Sequence, residues 1–144
     1  MLLDNKKNGK VGVLNKNGQT ILPPKYLDLQ ILDSSIFAVI INDSWKIIDI
    51  NQKIVLDDRY EKVKIWKEKF ISFSRDGKWG LVHLTGRSIV EPIYDNIEPF
   101  EDEYFIVESG GKKGLIKQNG QIIITPVAEA IRIYSDNLFL YRKY

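Results

Sequence analysis

The chain comes into register with itself at an interval of 34 residues, without insertion or deletion, as four copies spanning 9–42, 43–76, 77–110 and 111–144 behind a leading segment 1–8. A strict interval of this length constrains the fold more than any composition can. Each copy is one supersecondary unit that cannot bury its apolar face alone, so neighbouring units must complete each other's core. Two turn signals recur in phase. The first falls at Asn8-Gly9, Asn42-Asp43, Asp76-Gly77 and Gly110-Gly111, and the second at Asn17-Gly18, Asn51-Gln52, Thr85-Gly86 and Asn119-Gly120. Both favour residues that tolerate the positive φ of tight hairpins.

Between these turns lie short runs rich in Val, Ile, Phe and Tyr. The first strand of each copy is expected at 11–14, 45–48, 79–82 and 113–116, and the second at 21–22, 54–56, 89–90 and 122–124. Proline follows at Pro23-Pro24, Pro92 and Pro126, where it is expected to stop the strand, while the second copy has Asp57-Asp58. A third strand follows Tyr26, Tyr60 and Tyr94, marked by Leu29, Val63, Ile97 and Ile131; a short charged loop then leads to the most apolar strand, which contains Phe37, Ile71, Phe105 and Phe139. No segment carries a helical period. The reading is an all-β fold of 34-residue antiparallel meander repeats, about 14–16 strands in a solenoid-like or spiral stack, with a small β-propeller as the alternative. Leu2-Leu3 falls in register with the most apolar strand and reads as a surplus leading strand. Gly12, Gly80 and Gly114 share one strand position, where close approach of a ring or another backbone explains the missing side chain; Lys46 stands there in the second copy.

The segment Lys78-Trp79-Gly80-Leu81-Val82, followed by Gly86 and Pro92-Ile93-Tyr94-Asp95-Asn96-Ile97, resembles the WG repeat of bacterial proteins. The other copies are degenerate: Val11-Gly12 and Lys113-Gly114 keep the glycine, and Trp45-Lys46 keeps the tryptophan. The resemblance implies a β-repeat scaffold that presents surfaces, with no catalytic residues to carry over.

Composition excludes several chemistries. Lys and Arg number 21 against 19 Asp and Glu, a net charge of +2 with interleaved signs, which argues against a dedicated nucleic-acid or membrane binder. The absence of cysteine removes disulfides, thiolate metal sites and a Cys nucleophile. His83 is the only histidine and sits at a position that is polar in every copy, which reads as a strand-end surface residue. Gly110-Gly111-Lys112-Lys113-Gly114 lacks the spacing of a phosphate loop and is a hairpin turn by register. Lys6-Lys7 and Arg142-Lys143 read as solubilising ends.

The remaining candidates are contact residues. Glu98, Glu101, Asp102 and Glu103 form the densest acidic stretch, in the loop where other copies carry Asp33, Glu68 and Asp136; this is a solvated loop, a surface for a basic partner, or a set of carboxylates for calcium. Trp66, Phe100 and Tyr134 share a repeat position beside that loop and could present a partly exposed aromatic row, whereas Trp45 and Trp79 read as core. The expected partner-binding residues are therefore Trp66, Glu68, Phe100, Glu101, Asp102, Glu103, Tyr134 and Asp136. We expect a cytoplasmic, non-enzymatic protein-binding module over 1–144 that needs no cofactor. A short array without an attached enzyme or anchor suits a partner-neutralising role, such as an immunity protein (antitoxin) that plugs a basic toxin domain. The alternative is a glycan, peptide or small-ligand binder on the aromatic row.

Overall fold

The computed structural model describes residues 9–57, 59–135 and 138–143, and these form strands and turns with no helix. The chain divides into two compact units, 1–59 and 60–144. In the first, β1 (Val11–Leu14) and β2 (Thr20–Tyr26) form a two-stranded sheet. A four-stranded sheet follows, in the order β3 (Leu29–Asp33), β4 (Ile36–Ile41), β5 (Ser44–Asp49), β6 (Ile54–Leu56). In the second unit, β7 (Lys62–Trp66), β8 (Phe70–Arg75), β9 (Lys78–His83) and β10 (Ser88–Tyr94) form a four-stranded sheet in chain order. A five-stranded sheet then runs β11 (Asn96–Phe100), β12 (Tyr104–Ser109), β13 (Lys112–Lys117), β14 (Ile122–Ser135), β15 (Leu138–Lys143). All pairings are antiparallel between chain neighbours, and no sheet closes into a barrel.

Register repeats with the sequence. The pair Leu29↔Val39 recurs as Val63↔Phe73, Ile97↔Val107 and Ile131↔Tyr141. Likewise Val13↔Leu22 recurs as Ile47↔Leu56, Leu81↔Val90 and Leu115↔Ile124. The cores repeat as well. Leu22, Tyr26, Phe37, Val39 and Ile48 are buried together in the first unit, with Leu29 packed against them. Their counterparts two intervals on, Val90, Tyr94, Phe105, Val107, Ile116 and Ile97, are buried together in the second. In each unit this core joins one meander sheet to the next, through the edge-on ring pair Phe70–Phe105 at 5.2 Å in the second unit. The pair Tyr104–Phe139 repeats that contact at 5.0 Å.

Two expectations are corrected. Proline does not stop the second strand: Pro23 and Pro24 lie within β2, Pro92 within β10 and Pro126 within β14. The ladder steps from Val13↔Leu22 to Val11↔Tyr26, so two extra residues bulge out of the second strand there; the same step separates Leu81↔Val90 from Trp79↔Tyr94. A bulge frees the backbone from the ladder, and a residue without an N–H costs nothing at that point. Trp45, expected in the core, is half-buried; Trp79 is half-buried too but packs against the core of the second unit, as expected. The leading segment 1–8, including Leu2-Leu3 and Asn8, lies outside the described residues.

The glycine position follows from the bulge. A Cβ on Gly12 would lie 2.7 Å from both the Leu22 carbonyl oxygen and the Pro24 nitrogen; on Gly80 it would lie 2.8 Å from the Val90 carbonyl oxygen, and on Gly114 2.6 Å from that of Ile124. At all three positions the missing side chain makes room for backbone, and at Gly80 the Phe73 ring also comes within 3.0 Å. In the second copy glycine and proline change together. Lys46 takes the glycine's place, Asp58 takes the proline's, and the Lys46 ammonium donates to the Asp57 carbonyl oxygen at 2.7 Å and meets its carboxylate at 2.5 Å. The β6 strand correspondingly ends at Leu56.

Candidate functional site: the acidic loop and its surroundings

The strand-to-strand loops of the second unit carry most of the expected contact residues. Between β7 and β8 the chain reverses through Lys67 and Glu68, both at positive φ, with the Lys69 amide donating to the Trp66 carbonyl at 3.0 Å. Between β11 and β12 the loop Glu101-Asp102-Glu103 is tied down through its backbone. The Glu101 carbonyl accepts the Lys67 ammonium at 2.6 Å, the Asp102 carbonyl accepts the Gln118 amide side chain at 2.6 Å, and the Glu103 carbonyl accepts the Gln118 N–H at 3.1 Å. Glu68, Glu101, Asp102 and Glu103 are all exposed. The arrangement is a fixed loop with three successive acidic side chains facing water. The Lys67 contact also brings two loops one interval apart against each other.

The aromatic row is less uniform. Trp66 is half-buried, packs against the core of the second unit, and donates its indole N–H to the Ser72 hydroxyl at 2.9 Å. Phe100 is half-buried and Tyr134 is 70% exposed, so only Tyr134 presents most of its ring to solvent. Asp136 lies outside the described residues. Among the described residues, no group of three or more His, Asp or Glu side chains is placed to hold a metal ion.

His83 has a structural task that its polar register only hinted at. Its Nδ1 accepts the Thr85 N–H at 3.1 Å and faces the Thr85 hydroxyl at 3.0 Å, while its backbone closes the turn to Arg87. Asn15 and Asp49 do the same in their copies, accepting from Asn17 and Asn51 at 2.9 Å. Partial burial, then the Arg87 and Lys69 charges, hold the imidazole below its ordinary pKa, which keeps Nδ1 an acceptor.

Asp95 is a structural residue that sequence reasoning assigned no role. It stands between β10 and β11, where the chain passes from one sheet to the next. Its carboxylate accepts the Gly110 N–H at 2.8 Å and pairs with Lys78, so it ties a residue of each sheet to the corner. The Lys78 ammonium, and then the Gly110 N–H, hold the carboxyl below the ordinary range. Glu61 does related work one interval earlier, accepting the Gly77 N–H at 3.3 Å. The available signal was the acidic residue following Tyr60 and Tyr94.

Among the described residues no helix is long and apolar enough to cross a membrane. No curated protein and no solved structure matches the chain. The WG containing repeat matches residues 12–45, 79–112 and 114–144, each stretch opening at the conserved-phase Trp or Gly just described. Residues 46–78, which begin at Lys46 and lack the bulge proline, fall between the matched stretches. Over more than half its length, therefore, the chain is a member of the WG containing repeat family.

Proposed function

We propose that this protein is a non-enzymatic binding module for a protein partner with a basic face, and that residues 43–76 are a fourth, diverged copy of the repeat. The acidic loop carries the reading. Glu101, Asp102 and Glu103 are exposed while their carbonyls are fixed by Lys67 and Gln118, so a cationic partner would meet charges already in place. Preorganised surface charge speeds encounter and selects partners more than it adds affinity. A catalytic role has little support, because the only histidine spends its Nδ1 on a turn. The narrower form is an immunity protein in the bacterial cytoplasm that covers the active site of a basic toxin domain; the cysteine-free composition suits a reducing compartment.

The test is quantitative capture from the source cells with immobilised protein, beside a variant carrying Glu101→Lys, Asp102→Lys and Glu103→Lys. One stoichiometric basic partner, retained by the parent at low salt and lost by the variant, is the expected result. Capture of nothing stoichiometric, or equal capture by both proteins, would end the proposal.

A further inference from the structure

The two interior four-stranded sheets have the same make-up: the third and fourth strands of one copy, followed by the first and second strands of the next. Two halves of such a sheet stand uncompleted among the described residues. β1 and β2 supply the first and second strands alone, while the later part of β14 and β15 supply the third and fourth, with β15 outermost in its sheet.

Both halves expose apolar side chains that the interior copies bury. Leu14 on β1 is 65% exposed, whereas Ile48, Val82 and Ile116 at the same repeat position are at most 4% exposed. On β15, Leu140 is 53% exposed where Ala38, Ser72 and Ile106 are at most 7%. Tyr141 is 53% exposed where Val39, Phe73 and Val107 are at most 5%, and Leu138 is 56% exposed where Ile36 and Phe70 are 2%. In the interior copies these positions lie beside a neighbouring strand that each half-sheet lacks, and Val39 and Val107 also pack against the preceding sheet.

We propose that β15 of one copy pairs with β1 of a second copy of this chain, completing a four-stranded sheet in the order β14, β15, β1, β2. The register is dictated by the interior sheets. Phe37↔Ile48, Ile71↔Val82 and Phe105↔Ile116 place Phe139 opposite Leu14; Phe73↔Gly80 and Val107↔Gly114 place Tyr141 opposite Gly12. An unpaired strand edge is a template for another chain, and this one offers side chains that the repeat has already fitted to each other three times. The leading segment matches β1 only in part: Leu2 and Leu3 stand in register with Ile36 and Phe37, but Asp4 and Asn5 stand in register with Ala38 and Val39. The contact joins unlike surfaces, so it produces a closed ring or a growing chain of copies. This inference is independent of the acidic-loop reading, which concerns other strands and another partner.

The chain has no cysteine, so cross-linking is clean. Copies carrying Leu14→Cys are mixed with copies carrying Phe139→Cys and oxidised, and the parent is examined by sedimentation over a concentration series. The expected results are a mixed cross-linked dimer, a mass that rises to at least twice the monomer, and a return to monomer with Leu14→Glu. That variant changes an exposed side chain, so it should keep the parent's circular dichroism. A parent that stays monomeric throughout would overturn the proposal. So would a Leu14→Cys, Phe139→Cys double variant that cross-links only within one chain.

Discussion

At the scale of single residues, the repeat is held by groups whose substitution has a calculable direction. Gly80 lies under the backbone of Val90 and Pro92, at 2.8 and 2.9 Å from where a Cβ would stand. Backbone cannot swing aside as a side chain tip can, so Gly80→Ala should destabilise by about 1–3 kcal/mol in denaturant titration, the usual cost of overpacking. A cost near zero would mean that the bulge is not where the structure has it. His83 gives a pH signature. Its folded pKa lies below the ordinary value of about 6.5. Between those two values the unfolded chain holds more protons, so stability is complete above about pH 6.5 and declines as pH falls through the folded pKa. His83→Asn should keep the turn, since Asn15 makes the same bond, and remove that part of the decline. Melting curves across pH 4.5–8, a window bracketing the ordinary histidine pKa, are the measurement; a parent and variant with parallel profiles would refute it.

At the scale of elements, the turns and strand pairings were legible because each is specified locally. Most positive φ angles fall on Asn42-Asp43, Asp76-Gly77, Gly110-Gly111, Gly18, Gln52, Gly86 and Gly120, the positions that the turn dipeptides marked, whereas Lys67, Glu68 and Glu101 take it in the charged loops, where no such dipeptide stands. What was not legible came from tertiary context. Proline normally interrupts a ladder, and only the paired register shows a bulge that tolerates Pro92 inside β10. The single strand β14 was equally hidden. Ala128 replaces the tyrosine of the other copies and pairs with Lys113 on one side and Lys143 on the other, so the strand serves two neighbours without a break. The acidic loop was visible as composition, but its fixing by Lys67 and Gln118 depends on residues far along the chain. The corner at Asp95 yields a prediction of the same kind. Asp95→Ala removes the acceptor of the Gly110 N–H, so hydrogen exchange at Gly110 should accelerate while amides in the middle of β12 and β13 keep their protection. Unchanged exchange at Gly110 would show that the cap is not formed in solution.

At the scale of the whole molecule, equivalence between copies becomes a statement about energies. Phe37 and Phe105 are 1% and 0% exposed, occupy the same position in the cores of the two units, and pair with Ile48 and Ile116 in the same register. Truncating either to alanine removes a full ring from close-packed surroundings, at about 3–5 kcal/mol each. Phe139 shares the repeat position but is only half-buried, with Tyr104 on one side and an uncovered edge on the other. Phe139→Ala should therefore cost distinctly less than the other two in dilute protein. Where copies assemble through β15, the ring gains a strand beside it, and the cost should climb towards theirs as concentration rises. Phe37→Ala and Phe105→Ala are already complete within their own cores and should show no such dependence. Denaturant titrations of the three variants at low and high protein concentration separate these outcomes, and equal costs for all three in dilute protein would contradict the half-sheet at the end of the array.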